Sequence, residues 1–131
     1  MKATLFLITG WWDINNYNKS EYLEIESHTH SMHTEKFCTG VTRGAQMLCQ
    51  GNEEVLNDLK TSIEITGSKL GFCFPFYAYD DRTISLVKEA GFELAFIGGG
   101  YKASRNNDKW HIPRYQIKQS TTLETFINYI S

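Results

Sequence analysis

The sequence predicts an α/β fold with a mostly parallel sheet, and three observations support this prediction. An uninterrupted apolar run, Ala3–Thr9, ends at Gly10, as is typical of a parallel strand covered on both faces. A helical pattern spans residues 52–67, after two strand-like segments. Apolar strands and amphipathic helices then alternate along the rest of the chain, which is typical of a parallel sheet joined by crossover helices.

Two predicted strands and a loop fill the first 50 residues. The strand at Ala3–Thr9 is followed by Leu23–Thr29, where apolar and polar residues alternate. Residues 34–50 carry two glycines and predict a loop. The three cysteines show no CxxC spacing, so we expect free thiols, while a Cys38–Cys49 disulfide stays open for an exported protein.

The first predicted helix spans residues 52–67. Asn52 is its expected N-cap and Gly67 its expected C-cap, and two glutamates suit the positive helix start. Apolar residues at helical spacing indicate the face that packs in the core: Val55, Leu59 and Ile63.

The second half of the chain continues the alternation. Residues 69–76 predict a strand stopped near Pro75, and residues 80–92 predict a helix that ends at Gly91. A short strand at residues 93–100 runs into glycines. The last elements are a polar loop, a strand and a helix with capping-box spacing at its start: residues 101–111, 112–118 and 121–131.

Length and composition limit the class of protein. The chain has 131 residues, 41% of them hydrophobic and 21% charged, which fits one globular domain over residues 1–131. A net charge of −2 provides no basic surface for nucleic acid. No apolar run approaches the roughly 20 residues of a membrane helix, so we expect no membrane span. Residues 1–13 indicate a strand and not a signal peptide, which leaves the compartment open.

Three of the four histidines lie within six positions, at the end of the second predicted strand. On a strand His28 and His30 would point the same way, with His33 beyond the turn. Imidazoles that lie close together are natural ligands for Zn²⁺ or a similar divalent metal, and a catalytic zinc usually takes three protein ligands. The histidines supply part of such a set, so a carboxylate is the expected third ligand. The alternative is a polar surface loop that binds no metal.

The segment around these histidines, EIESHTHSMH, resembles the second motif of the polysaccharide deacetylase family, carbohydrate esterase family 4. Three further stretches resemble that family in the correct order. The family's second strand is similar to MKATLFLITGWWD. Its third motif and the following helix are similar to GFCFPFYAYDDRTISLVKEAGFELAF, and its late IPR strand is similar to WHIPRYQI. The resemblance implies a partial (β/α) barrel with mostly parallel strands that lacks the family's first strand.

The resemblance also implies roles for individual residues. His28 and His33 match the two metal-ligating histidines of the family, and His30 falls at a variable position. Thr29 matches the residue whose hydroxyl helps to order the motif loop. The family's substrate groove corresponds here to Thr29, Phe74, Pro75, Phe76 and Tyr77. The implied cofactor is a divalent metal, zinc by preference, and the implied partner is an acetylated carbohydrate polymer.

Two parts of the family's machinery have no match in this sequence. The first motif, whose aspartates supply the general base and a metal ligand, is absent, and so is the late Leu-x-His that supplies the general acid. We therefore expect weak metal binding and negligible activity unless other elements complete the site. Asp13 is the nearest candidate for a borrowed ligand, and His111 is the only later histidine. The candidates for a replacement base are Asp13, Asp80 and Asp81.

Two functions stay open. The first is metal-dependent hydrolysis of N-acetyl or O-acetyl groups on a carbohydrate polymer, by a truncated domain that missing elements would complete. The second is an inactive remnant that binds carbohydrate or metal, with sugar contacts from aromatic side chains: Trp11, Trp12, Tyr77 and Trp110. The resemblance also implies that Ala3–Thr9 lacks the strand that neighbours it in the family, and such an unpaired edge predicts a homodimer. The family suggests an exported or envelope-associated protein.

Overall fold

The molecule contains six strands and three α-helices, in a computed structural model that describes every residue from Met1 to Ser131. In chain order they are β1 (Ala3–Leu7), β2 (Leu23–Ser27), β3 (Glu35–Cys38), β4 (Val41–Ala45), α1 (Asn52–Thr66), β5 (Gly71–Cys73), α2 (Asp81–Ala90), β6 (Leu94–Phe96) and α3 (Leu123–Ile130). Single turns of 3₁₀-helix lie between them, at Ile14–Asn16, Gln46–Leu48 and Pro75–Tyr77.

The central sheet has four strands in the order β1–β2–β5–β6, and all neighbours pair in parallel. β1 and β2 pair along their full lengths. A single parallel bridge between Phe96 and Ile112 extends the far edge beyond β6. The predicted α/β fold with a mostly parallel sheet is confirmed. The sheet forms part of a barrel, and β1 is one of its edge strands.

α1 and α2 enclose the main core together with the sheet. α1 ends at Gly67, which has the left-handed φ of 68°, and α2 begins with a capping box at Asp80 and ends at Gly91. None of the helices has the length and apolar character needed to cross a membrane. The core joins helix and strand side chains: Val55, Leu59, Ile63, Phe72, Phe74, Ile84, Val87 and Ala95.

The segment predicted as a loop, residues 34–50, contains an antiparallel hairpin of β3 and β4. Both strands are short and largely exposed, so they lack the apolar alternation by which a strand is found in a sequence. A disulfide between Cys38 and Cys49 closes this segment. The expectation of three free thiols is therefore wrong, and Cys73 is the free cysteine.

The C-terminal segment also departs from the prediction. Residues 112–118 form no regular strand, because pairing stops after the bridge at Ile112, next to Pro113, which has no N–H to donate. The N-cap of α1 is Gly51, one residue before the predicted Asn52, and the N-cap of α3 is Thr122, one residue after Thr121, where the predicted helix began. Such one-residue differences leave the order of elements unchanged.

The first strand is less buried than predicted. Ala3 and Thr4 are exposed, and Leu7 is the buried residue of β1. β1 and the C-terminal segment line a cavity of about 480 Å³. β1 pairs with β2 only, so its second backbone edge has no strand beside it. The prediction that this strand is covered on both faces is wrong, because an open cavity lies between β1 and the residues of α3 that form part of its other walls.

Candidate metal centre

Residues 28–33 form a loop, the histidine loop, that leaves the sheet at the carboxyl end of β2. The N–H of His28 donates to the carbonyl oxygen of Leu7 at 3.0 Å, which extends the pairing with β1 by one residue. Thr29 has a φ of 73°, so the chain turns sharply there. The carboxyl ends of parallel strands meet at one edge of a sheet, and this is where α/β folds usually place their sites.

The side chain of His28 is held in one orientation. Its Nδ1 lies 2.6 Å from the carbonyl oxygen of Cys73. A carbonyl oxygen can only accept, so Nδ1 carries the hydrogen and Nε2 keeps its lone pair. Burial lowers the pKa of His28 from 6.5 to about 4, and the nearby charges of His33 and Arg114 act in the same direction. His28 is therefore a neutral imidazole fixed by a backbone carbonyl, which is the usual state of a metal-ligating histidine.

His33 lies beside His28, with the two ring centroids 4.6 Å apart. Its ring also contacts two aromatic side chains, Phe76 at 4.4 Å and Trp11 at 5.7 Å between centroids. Partial burial lowers the pKa of His33 as well. The structure thus brings the two sequence-predicted histidines together as neutral rings beside an aromatic border.

His30 lies apart from this pair. Its Nδ1 forms a 3.0 Å hydrogen bond with the hydroxyl of Thr9, and its backbone N–H donates to Asp58. Because β2 ends at Ser27, the expectation that His28 and His30 share one strand face is wrong. His30 instead fastens the histidine loop to the end of β1.

Asp58 on α1 supports the histidine loop from within the protein. One carboxylate oxygen accepts from the N–H of His30 at 2.7 Å, and the other accepts from the N–H and the hydroxyl of Ser31 at 2.7 and 2.8 Å. The sequence prediction missed this buried residue, although a signal was present. Asp58 interrupts the apolar stripe that contains Val55 and Leu59, and a polar residue on a core-facing stripe needs a buried partner.

His28 and His33 fit part of a metal site. Two neutral imidazoles match half of the four-coordinate shell that zinc prefers. The structure contains no group of three or more His, Cys, Asp or Glu side chains that could hold a metal ion. Asp13, the expected borrowed ligand, instead caps a 3₁₀ turn by accepting from the N–H of Asn15 at 2.9 Å. That expectation is wrong, and the remaining positions require ligands from outside the pair.

The other candidate acids and bases are engaged elsewhere. Asp80 caps α2 by accepting from the N–H of Thr83 at 2.7 Å, and Asp81 occupies the exposed first turn of that helix. The Nδ1 atom of His111 lies 2.7 Å from a carboxylate oxygen of Asp108. None of these side chains joins the histidine pair in a metal-binding group.

The surface beside the histidines is smaller than the implied substrate groove. Thr29, Phe74 and Pro75 are buried, so they cannot contact a substrate. Phe76 and Tyr77 are 41% and 44% exposed, and both adopt a positive φ in the turn after β5. The buried hydroxyl of Thr29 has no hydrogen-bond partner, so it does not order the loop as the resemblance implied.

Arg114 reaches the site from the C-terminal segment. Its guanidinium carbon lies 5.3 Å from the centroid of the Tyr77 ring and 5.5 Å from that of the Phe6 ring. Arg114 and His28 both line the cavity of about 480 Å³. This arginine belongs to the segment that resembles the family's IPR strand, but the resemblance implied no role for it. The structure gives the cavity a positive charge among mostly apolar walls.

Solved structures are similar to this chain, although no protein-family model and no curated protein sequence matches it. A de-N-acetylase from Aggregatibacter actinomycetemcomitans has a TM-score of 0.67 at 16% identity, over 98% of this chain and 64% of that one. A Streptococcus pyogenes deacetylase in complex with acetate has a TM-score of 0.69 at 15% identity, over 99% and 59%. A polysaccharide deacetylase from Bacillus cereus has a TM-score of 0.61 at 19% identity, over 99% and 42%.

At these low identities the likeness concerns the fold. The chain spans between 42% and 64% of the length of the three proteins. The resemblance that the sequence motifs predicted is confirmed at this level, including the partial character of the barrel. Residues Met1–Ser131 therefore have the fold of polysaccharide deacetylases, over about half of the length of those proteins.

Proposed function

We propose that this chain is a deacetylase-like domain that binds an acetylated carbohydrate polymer. In this domain His28 and His33 bind a divalent metal, zinc by preference. The observation that carries the proposal is the neutral ring of His28, which is fixed by the Cys73 carbonyl and leaves Nε2 free. The ring of His33, 4.6 Å away, supplies the second ligand. Two protein ligands hold zinc more weakly than the three of a typical catalytic site.

The chemistry that a metal supplies when bound is polarisation of an acetyl carbonyl and activation of water. The residues of this chain orient the sugar and exclude solvent. Phe76 borders His33, and Arg114 places a positive charge on the cavity side of His28. No carboxylate joins the two histidines in a metal-binding group. Efficient hydrolysis of N-acetyl or O-acetyl groups therefore requires a carboxylate from a further segment or a partner.

A second function, carbohydrate binding without hydrolysis, is favoured by a different observation. Trp11 and Trp12 are exposed and Trp11 lies close to His33, while the histidines lack a third ligand. Exposed indole rings are common at binding surfaces because one side chain offers a large apolar face and a polar N–H. The two candidates differ in whether the histidines bind metal and whether acetate is released.

Zinc binding tests the proposal directly. Calorimetric titration of zinc should give weak binding to the wild type, and the double variant His28→Ala, His33→Ala should lose it. His111→Ala is the matched control, since His111 contacts Asp108 and is not part of the His28–His33 pair. Equal affinity of the wild type and the double variant for zinc would contradict the proposed metal site.

Acetate release from an N-acetylated oligosaccharide separates the two candidates. We expect negligible release by the chain alone, since a missing base and a missing acid each remove about 10²–10⁴-fold in rate. Robust release that disappears in His28→Ala or after chelation would refute this expectation and reveal a base within this chain. Sugar binding that is independent of zinc and of His28 would favour the binding module.

A further inference from the structure

The cavity of about 480 Å³ between β1 and the C-terminal segment contains a positive charge that no carboxylate balances. Ten of the fifteen residues that line it are hydrophobic, and none is Asp or Glu. Its two cationic side chains are Lys2 and Arg114. Lys2 pairs with Glu24 at 2.8 Å, whereas Arg114 belongs to none of the ion pairs of the molecule. Arg114 is thus a cation among mostly apolar walls without a counter-ion.

The titratable groups beside Arg114 cannot supply that counter-ion. They are His28 and the thiol of Cys73. Burial lowers the pKa of His28 to about 4 and raises the pKa of Cys73 to about 11, so both groups are neutral at neutral pH. The buried Nε of Arg114 has no hydrogen-bond partner. Since a guanidinium does not lose its proton, its buried N–H requires an acceptor from outside these side chains.

Two aromatic rings hold the guanidinium in position. Its central carbon lies 5.5 Å from the centroid of the Phe6 ring and 5.3 Å from that of the Tyr77 ring. The Tyr77 hydroxyl donates to the side chain of Gln116 at 2.8 Å, which fixes that ring. Aromatic faces attract a cation, but they do not replace the planar pair of acceptors that a guanidinium prefers. The arginine is therefore oriented before any anion arrives.

The rest of the cavity suits an apolar molecule. The rings of Phe6 and Phe96 lie 5.0 Å apart between centroids, and Phe126 and Ile130 of α3 form part of the other walls. A volume of about 480 Å³, apolar walls and one charged group are typical of a small-molecule site. One unbalanced cation matches a ligand with a single negative charge, and a carboxylate fits the planar fork of an arginine.

We propose that this cavity binds a carboxylate with an apolar body, of the class of medium-chain fatty acids. The carboxylate pairs with the guanidinium of Arg114, and the apolar body packs between β1 and α3 against Phe6, Phe96 and Ile130. This ligand goes beyond the proposed function, because its contacts require neither a metal nor a sugar. The competing occupant is a second copy of the chain, which would cover the cavity from the free edge of β1.

The test is calorimetric titration of the metal-free protein with octanoate, acetate and 1-octanol. Octanoate should bind about tenfold or more tightly than acetate, because only octanoate buries an apolar chain. It should also bind about tenfold or more tightly than 1-octanol, which lacks the charge. Arg114→Met keeps an apolar stem and removes the cation. This variant should bind octanoate about tenfold more weakly and 1-octanol as tightly as the wild type does.

A matched pair of variants on α3 tests the position of the ligand. Ile130 lines the cavity and is 52% exposed, so Ile130→Asp is compatible with folding and places a negative charge in the wall. It should weaken octanoate binding about tenfold or more. Leu123 lies on the same helix, is 73% exposed and does not line the cavity. Leu123→Asp should therefore bind octanoate as the wild type does.

Three results would overturn this site. The first is octanoate binding that is no tighter than that of 1-octanol or that survives Arg114→Met. The second is octanoate binding that requires added zinc and His28, which would assign the carboxylate to the metal. The third is no octanoate binding by a protein whose dimer dissociates in Ile130→Asp, which would assign the cavity to a second copy. Because the titration is done without metal, failure of the proposed zinc site leaves its outcome unaffected.

Discussion

Nδ1 of His28 donates a hydrogen bond to the carbonyl oxygen of Cys73 at 2.6 Å, across the two neighbouring strands β2 and β5. The bond fixes the tautomer of His28, because a carbonyl oxygen has no hydrogen to give. It also aims the second nitrogen away from the sheet backbone and leaves it available to a ligand. The tautomer of this histidine is thus set by a residue 45 positions further along the chain.

We predict that His28 makes the protein less stable as the pH falls. The pKa of His28 is about 4 in the folded protein and 6.5 for an ordinary histidine, so below about pH 6.5 the unfolded chain takes up a proton that the folded chain does not. The free energy of unfolding should fall by about 3 kcal/mol between pH 6.5 and pH 4, and its slope should flatten below the folded pKa.

Urea unfolding at a series of pH values from about 7 to about 4 measures this effect. His28→Asn carries no titrating group at this position, so its stability should depend less on pH than that of the wild type. Some dependence should remain, because burial lowers the pKa of His33 in the same direction. Identical pH slopes for the wild type and His28→Asn would contradict the prediction.

We predict that Asp58→Ala loosens the histidine loop. The change removes the acceptor of two backbone N–H groups and one hydroxyl, from His30 and Ser31. An unpaired buried donor costs about 1–3 kcal/mol, so the free energy of unfolding should fall by about 2–4 kcal/mol. Zinc affinity should fall as well, since His28 and His33 stand at the two ends of this loop.

Chemical unfolding and zinc titration of Asp58→Ala, Asp58→Asn and Asn57→Ala check this prediction. Asp58→Asn keeps one acceptor oxygen and should lie between the wild type and Asp58→Ala. Asn57 is the exposed neighbour on α1, so its replacement should change little. A stable Asp58→Ala protein with unchanged zinc binding would show that the loop is ordered without the carboxylate.

We predict that alkylation will distinguish the three cysteines. Cys38 and Cys49 are joined by a disulfide, while burial raises the pKa of the Cys73 thiol to about 11. The native protein should therefore resist iodoacetamide, the denatured protein should react at Cys73 alone, and the denatured and reduced protein should react at all three. Mass spectrometry reads the number and position of the labels. Rapid labelling of Cys38 or Cys49 without reductant would show that the disulfide is absent.

The disulfide should also contribute to stability. Its two cysteines are 11 residues apart, and closing a loop of this size in the unfolded chain stabilises the fold by about 3 kcal/mol. The double variant Cys38→Ser, Cys49→Ser should lose about this amount in urea unfolding. Addition of reductant should destabilise the wild type and leave the double variant unchanged.

The free edge of β1 predicts association of two copies of the chain. β1 pairs with β2 on one side only, and unpaired strand edges are sites of strand addition. Light scattering at micromolar concentration should detect a dimer, the commonest homo-oligomer. Hydrogen exchange of residues 3–7 should slow as the protein concentration rises through the dimerisation range. A monomer whose β1 amides are protected equally at every concentration would exclude this edge as the interface.

Helix ends and their order along the chain could be predicted from the sequence, because their signals are local. Gly67 and Gly91 end α1 and α2 as expected, since a left-handed cap depends on the few residues around it. The apolar stripe of α1 predicted its buried face for the same reason. The β3–β4 hairpin escaped prediction, because its strands are exposed and carry no apolar period.

The sequence by itself determined that two histidines, His28 and His33, lie at the end of a strand, in a segment that resembles a metal-binding motif. Only the tertiary structure decided their state. Contacts with Cys73, Asp58 and Trp11 join residues far apart in the chain, and they exist only once the sheet and α1 have packed. Burial then lowers the pKa values of both rings, because a charge is costly where protein has replaced water.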